Sequence, residues 1–177
     1  MIQFLDTSVS IPSLIWMFLV AFMLHDFEEI IRIEPWFRKN SNQIYNKIPK
    51  RFHKNFYTFS SMTSSRFSIA VCTEFIVFIP VTFWAVEKGS YLLFLGFNVI
   101  LLLHVFMHVG QALFLRMLVP GVVTAVVITL PYSIYLFYRL LDEDLIEMAD
   151  ILLSAPFGLL LIPILWIGHK LGDKLVP

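Results

Sequence analysis

The sequence predicts an all-α, polytopic membrane bundle with about five transmembrane helices. Three observations carry this. The chain has 177 residues, of which 58% are hydrophobic and only 15% charged; a soluble domain carries about a quarter charged residues. Its apolar residues fall in runs of about 20, the helical length that crosses a hydrocarbon core. Its charges gather between those runs with their signs segregated, although the formal net charge is zero.

Residues 12–31 form the first span. Pro12 and Ser13 suit a helix start. The stretch lacks a basic flank before it and ends in charges, so it reads as a span and not as a cleavable leader. Residues 32–66 form a basic loop, with Arg32, Arg38, Lys39, Lys47, Lys50, Arg51, Lys54 and Arg66 against Glu34. Aromatics such as Trp36, Tyr45, Phe52 and Phe56 are interleaved with these bases. That mixture also suits single-stranded nucleic acid. Between two spans it belongs on an anionic membrane surface, so membrane lipids are the expected partner and no nucleic acid is.

Residues 67–86 form the second span, with Glu74 inside it and Pro80 as a kink. Cys72 lies in the same run; a lone cysteine there is expected to be a small buried apolar residue. Residues 91–117 form the third span and carry Asn98, His104, His108 and Gln111. Pro120-Gly121 breaks the chain before the fourth span, residues 119–141. An acidic stretch follows, with Asp142, Glu143, Asp144, Glu147 and Asp150, then the fifth span, residues 151–167. His169, Lys170, Asp173 and Lys174 lie beyond it. The whole chain, 1–177, is expected to be one domain. The basic segments then lie inside and Asp6 and the acidic stretch outside, with Arg139 dissenting. The expected topology has the N-terminus outside and the C-terminus in the cytoplasm, in the cytoplasmic membrane of a prokaryote.

Within this frame the ionisable residues coincide in depth. At ~1.5 Å per residue, His25 sits about 10 Å and Glu28 about 6 Å inside the basic boundary. By the same measure Glu74 and His108 are about 12 Å inside and His104 about 18 Å. His25, Glu28 and Glu29 share one helix face at i, i+3 and i, i+4, as do His104 and His108. Asp26 lies about a quarter turn off, and its participation stays open. Imidazoles and carboxylates together suit iron, zinc or manganese, and the number of carboxylates allows one or two ions. Such groups can also pair merely for packing, with Asn98 and Gln111 as interhelical glue. Several at one depth favour a site.

His25-Asp26-Phe27-Glu28-Glu29, the segment 98–111 with both histidines, and Arg116 to Ala125 with its Pro-Gly-x-x-Thr-Ala together resemble the HXXEE family of small integral membrane proteins. The resemblance implies a multi-span fold and an enzymatic, metal-dependent role.

The expected function is a membrane-embedded metal-dependent enzyme acting, by oxidation or hydrolysis, on a lipid or small amphiphile. Metal ligands would come from His25, Glu28, Glu29, Glu74, His104 and His108, with Glu28 or Glu29 as general base. Asn98, Gln111, Arg116 and Thr124 would support them. Two alternatives use other chemistry. An ion or proton transporter would need polar groups across the whole bundle, and beyond the site only Asn98, Thr82, Thr129 and Ser133 are offered. A membrane adaptor working through the basic loop leaves the intramembrane histidines without a role.

Overall fold

The computed structural model describes residues 8–176, the side chains of 55, 58 and 59 excepted. Asp6, used above for orientation, lies outside the described residues. Every regular element among the described residues is helical: α1 (Ile11–Lys47), α2 (His53–Ser60), α3 (Ser64–Lys88), α4 (Leu92–Leu115), α5 (Val122–Asp142), α6 (Met148–Gly158) and α7 (Leu161–Leu175). Four stretches are long and apolar enough to cross a membrane: α3, α4, α5, and α6 with α7 taken together as Met148–Leu175.

The largest departure from expectation is in 32–66. The sequence pattern predicts a loop over residues 32–47, yet α1 continues as one helix of 37 residues to Lys47. Pro35 does not stop it, and ion pairs Glu28–Arg32 and Glu34–Arg38 at i, i+4 staple the extension. Helix α2 then folds back, so Ile44 and Phe56 pack with Leu115, Val119 and Val122 in a small core over one end of the bundle. Trp36 Nε1 donates to the Leu118 carbonyl at 2.7 Å, and Lys47 Nζ donates to that of Leu115. The fifth span is also longer than residues 151–167. It starts at Met148, where a Glu147/Asp150 capping box closes the first turn, and it is interrupted by a turn at Leu159–Leu160.

Helix α1 and these four stretches run between two ends of opposite charge. Arg139 Nη1 donates to the Val9 carbonyl at 3.2 Å and marks the acidic end. Ser64 Oγ donates to the Ile30 carbonyl at 2.5 Å and Arg66 Nε to that of Val176 at 3.0 Å, at the basic end. Helix α3 packs on α1 and along α7, while α4 packs along α6. Small residues allow the closest approaches. A Cβ on Gly158 would stand 2.3 Å from the Gly96 carbonyl oxygen, and one on Gly168 2.7 Å from the Ala70 Cα. Close packing through small residues is the means by which apolar helices associate where lipid is the competing solvent.

The half of the bundle toward the acidic end is filled by a phenylalanine cluster. Phe18, Phe22, Phe78, Phe94 and Phe97 are buried, with ring centroids 4.7–6.3 Å apart. Large apolar side chains such as Ile76, Leu113 and Leu152 point outward, as on a surface covered by lipid. Cys72, expected to be buried, is on this exposed surface instead; α3 buries the face carrying Val71, Glu74 and Phe78, and Cys72 falls off it.

Candidate metal centre

The polar turn of α1 meets the histidine pair of α4 just inside the basic end. His25, Glu29, His104 and His108 each offer a ligand atom, and all four atoms lie within 4.8 Å of one another. His108 Nε2 stands 2.7 Å from His104 Nε2 and 3.2 Å from Glu29 Oε1. The three imidazoles are mutually edge-on, with centroids 4.3–5.3 Å apart and interplanar angles of 80–88°. Such an arrangement lets three flat rings point lone pairs at one spot. A tetrahedral ion with bonds of ~2.0 Å needs ligand edges of ~3.3 Å, so movements of about 1 Å convert the observed group into a coordination shell. The His25/Glu29/His104/His108 group can therefore hold a metal ion.

A second layer fixes His25. Its Nδ1 lies 3.2 Å from Thr124 Oγ1, which donates to Glu28 Oε2 at 2.7 Å. The Thr124 hydroxyl is closer to this carboxylate than to the Gly121 carbonyl at 3.2 Å; a proton given to the carboxylate leaves Thr124 to accept from His25 Nδ1–H. His25 Nε2, left with its lone pair, is buried without a hydrogen-bond partner among the described residues. A partner fixing the tautomer from behind is a recurrent feature of metal-ligating histidine. Glu28 is itself anchored: the Thr124 amide donates to Oε2 at 2.8 Å and Arg32 Nη1 to Oε1 at 2.6 Å.

Pro120-Gly121 supplies the cradle. Gly121 has φ +81°, and a Cβ there would lie 2.8 Å from Glu29 Cγ, Glu29 Oε1 and His108 Cε1. Only glycine combines that backbone angle with that approach. The π-helical segment Ala125–Thr129 begins just after Thr124 and opens the first turns of α5; such bulges recur at functional sites.

Not every expected residue joins this group. Glu28, expected as a ligand or base, is held outside it by Thr124 and Arg32. Glu74, expected as a ligand, is buried on α3 outside the group, and its carboxyl and that of Asp26 lie within electrostatic range of each other and of Glu29. Asp26 is buried with Oδ2 unpartnered among the described residues. Asn98 is fully buried but donates to the Phe94 carbonyl, about 9 Å along α4 from His104. Gln111 is exposed. Arg116 closes α4 in a left-handed conformation, φ 53°, and is exposed. Of the expected supporting residues only Thr124 touches the group. The cradle role of Gly121 is the addition that the sequence did not assign, although its Pro-Gly break was visible.

Fold and site define a helical integral membrane protein with a buried group of three histidines and a glutamate that can hold a metal. The chain belongs to the HXXEE family, described as proteins of unknown function with an HXXEE motif, whose signature covers residues 16–136. It is 24% identical over 161 residues to the uncharacterized protein YrkK of Bacillus subtilis (strain 168), across 90% of this chain and 96% of that protein. No solved structure matches it.

Proposed function

We propose that this protein is a membrane-embedded, metal-dependent enzyme whose divalent ion, iron, zinc or manganese, is held by His25, His104, His108 and Glu29. The carrying observation is the convergence of three imidazoles and a carboxylate from two helices, with one lone pair aimed inward and its tautomer fixed from behind. The ion would supply Lewis-acid or redox chemistry at that point. His25, held by Thr124 and Glu28, keeps its ring in place without moving a proton. Glu29, seated in the space left by the missing Cβ of Gly121, lends the negative charge that balances a cation in a medium of low dielectric.

The proposed substrate is a lipid or small amphiphile. His104 is only partly buried and borders the exposed apolar residues Leu103 and Met107 on α4. A reacting group carried on an acyl or isoprenoid chain can approach from lipid along that edge. The proposed setting is the cytoplasmic membrane of a prokaryote, with the basic end in the cytoplasm. A transporter using the same residues is disfavoured by Phe18, Phe22, Phe78, Phe94 and Phe97, which fill the bundle between the site and the acidic end.

The test is metal analysis of detergent-purified protein by inductively coupled plasma mass spectrometry. Wild type is expected to carry bound metal, and His25→Ala and His108→Ala to lose it while remaining folded. Metal-free wild type that moves protons or ions in liposomes overturns the reading.

A further inference from the structure

A cavity whose lining shares no residue with the metal group lies where the end of α2, the first turn of α3 and α7 meet. It measures about 690 Å³ and is lined by Tyr57, Arg66, Trp166, His169, Lys170 and Asp173, among others. The contact of Gly172 with the Arg66 carbonyl puts the last turns of α7 level with the first turn of α3. The cavity is therefore at the basic end, where apolar helix gives way to charge. Trp166 is one turn deeper than Lys170, and the Lys170 ammonium lies 6.0 Å from the centre of its ring. A tryptophan below a lysine is the arrangement that brackets a bilayer's headgroup layer.

Arg66 is oriented in advance. Its Nε donates to the Val176 carbonyl at 3.0 Å, and its Nη1 lies 3.9 Å from Asp173 Oδ1. His169 adds a ring nitrogen, Nδ1, that is buried without a partner among the described residues. Two cations against one carboxylate leave the lining with net positive charge, above an outward-facing apolar surface that includes Ile162. We propose that this cavity binds the phosphate of an anionic phospholipid, with Arg66 and Lys170 on the phosphate and Trp166 against the start of the acyl chains. Basic pockets between helices at this level recognise such headgroups, and guanidinium is well shaped for phosphate.

Native mass spectrometry of the delipidated full chain, titrated with dioleoylphosphatidylglycerol and dioleoylphosphatidylcholine, tests this. Wild type is expected to bind phosphatidylglycerol at least tenfold more tightly. Lys170→Ala is expected to weaken that binding about fivefold, and Arg66→Ala with Lys170→Ala to bring it to the phosphatidylcholine level. The Lys170 side chain is exposed at the surface of α7, so its variant serves even if removal of Arg66 disturbs the fold. Equal binding of both lipids, or no change in Lys170→Ala, overturns the proposal. So does displacement of the lipid by inorganic phosphate at low millimolar concentration, which would assign the cavity to the free anion. Metal content plays no part in this readout, so the outcome is independent of the proposed enzyme activity.

Discussion

Gly121→Ala is the most discriminating substitution in the candidate metal centre. Two penalties fall on it. A non-glycine residue in the left-handed region costs about 1–2 kcal/mol. The new Cβ would also stand 2.8 Å from atoms of Glu29 and His108, and moving each side chain off its rotamer costs about 0.5–1.5 kcal/mol. Together these come to about 2–5 kcal/mol, much of it drawn from the geometry of two ligands. Gly89→Ala separates the two effects: Gly89 has φ +61°, and a Cβ there would meet nothing within 4 Å, so only the backbone penalty applies. The assay is metal affinity by chelator competition in detergent, alongside thermal unfolding with and without metal. Gly121→Ala is expected to lose at least about 10- to 100-fold in affinity, the scale seen when support around a metal ligand is disturbed. Gly89→Ala is expected to lose stability but keep its affinity. Wild-type affinity in Gly121→Ala, or equal losses in both variants, would refute the reasoning.

Other variants probe the remaining contacts. Thr124→Val removes the hydroxyl between His25 and Glu28 and is expected to lower metal affinity about 10- to 100-fold; unchanged affinity in the same chelator assay would show that this support of His25 is dispensable. Glu28→Gln keeps the shape and one acceptor, so it is expected to retain bound metal where Glu29→Gln loses most of it; metal analysis of the pair distinguishes their roles. Gly158→Ala drives a methyl toward the Gly96 carbonyl and is expected to destabilise the bundle by about 1–3 kcal/mol, measured by denaturant unfolding in mixed micelles. Trp36→Phe loses the bond to the Leu118 carbonyl and is expected to cost about 0.5–1.5 kcal/mol, read as a lowered melting temperature with metal stoichiometry intact.

The His/Glu group is legible in the sequence because apolar helices make every ionisable residue conspicuous. Depth and helical phase alone bring His25, Glu29, His104 and His108 to one place. The choice between Glu28 and Glu29 is not legible. Both share the face of His25, and the decision rests with Thr124, which arrives from a different helix and captures Glu28. Glu74 has the right depth, but it comes from α3 and its carboxyl is not among the four groups that converge. The extension of α1 to Lys47 is hidden by its polar composition, since pattern alone does not separate a charged helix from a charged loop and Pro35 argues for a break. The Gly96–Gly158 contact is hidden for another reason: two single glycines, 62 positions apart, carry no local signal of their meeting.

The central claim is that three imidazoles and one carboxylate from α1 and α4 close on a single ion. X-ray absorption at the edge of whatever metal co-purifies tests it most directly. The account predicts a nitrogen and oxygen shell at about 2.0–2.2 Å, with the outer-shell scattering of about three imidazoles, reduced in His104→Ala. A shell without imidazole scattering, or one unaltered in that variant, would contradict it.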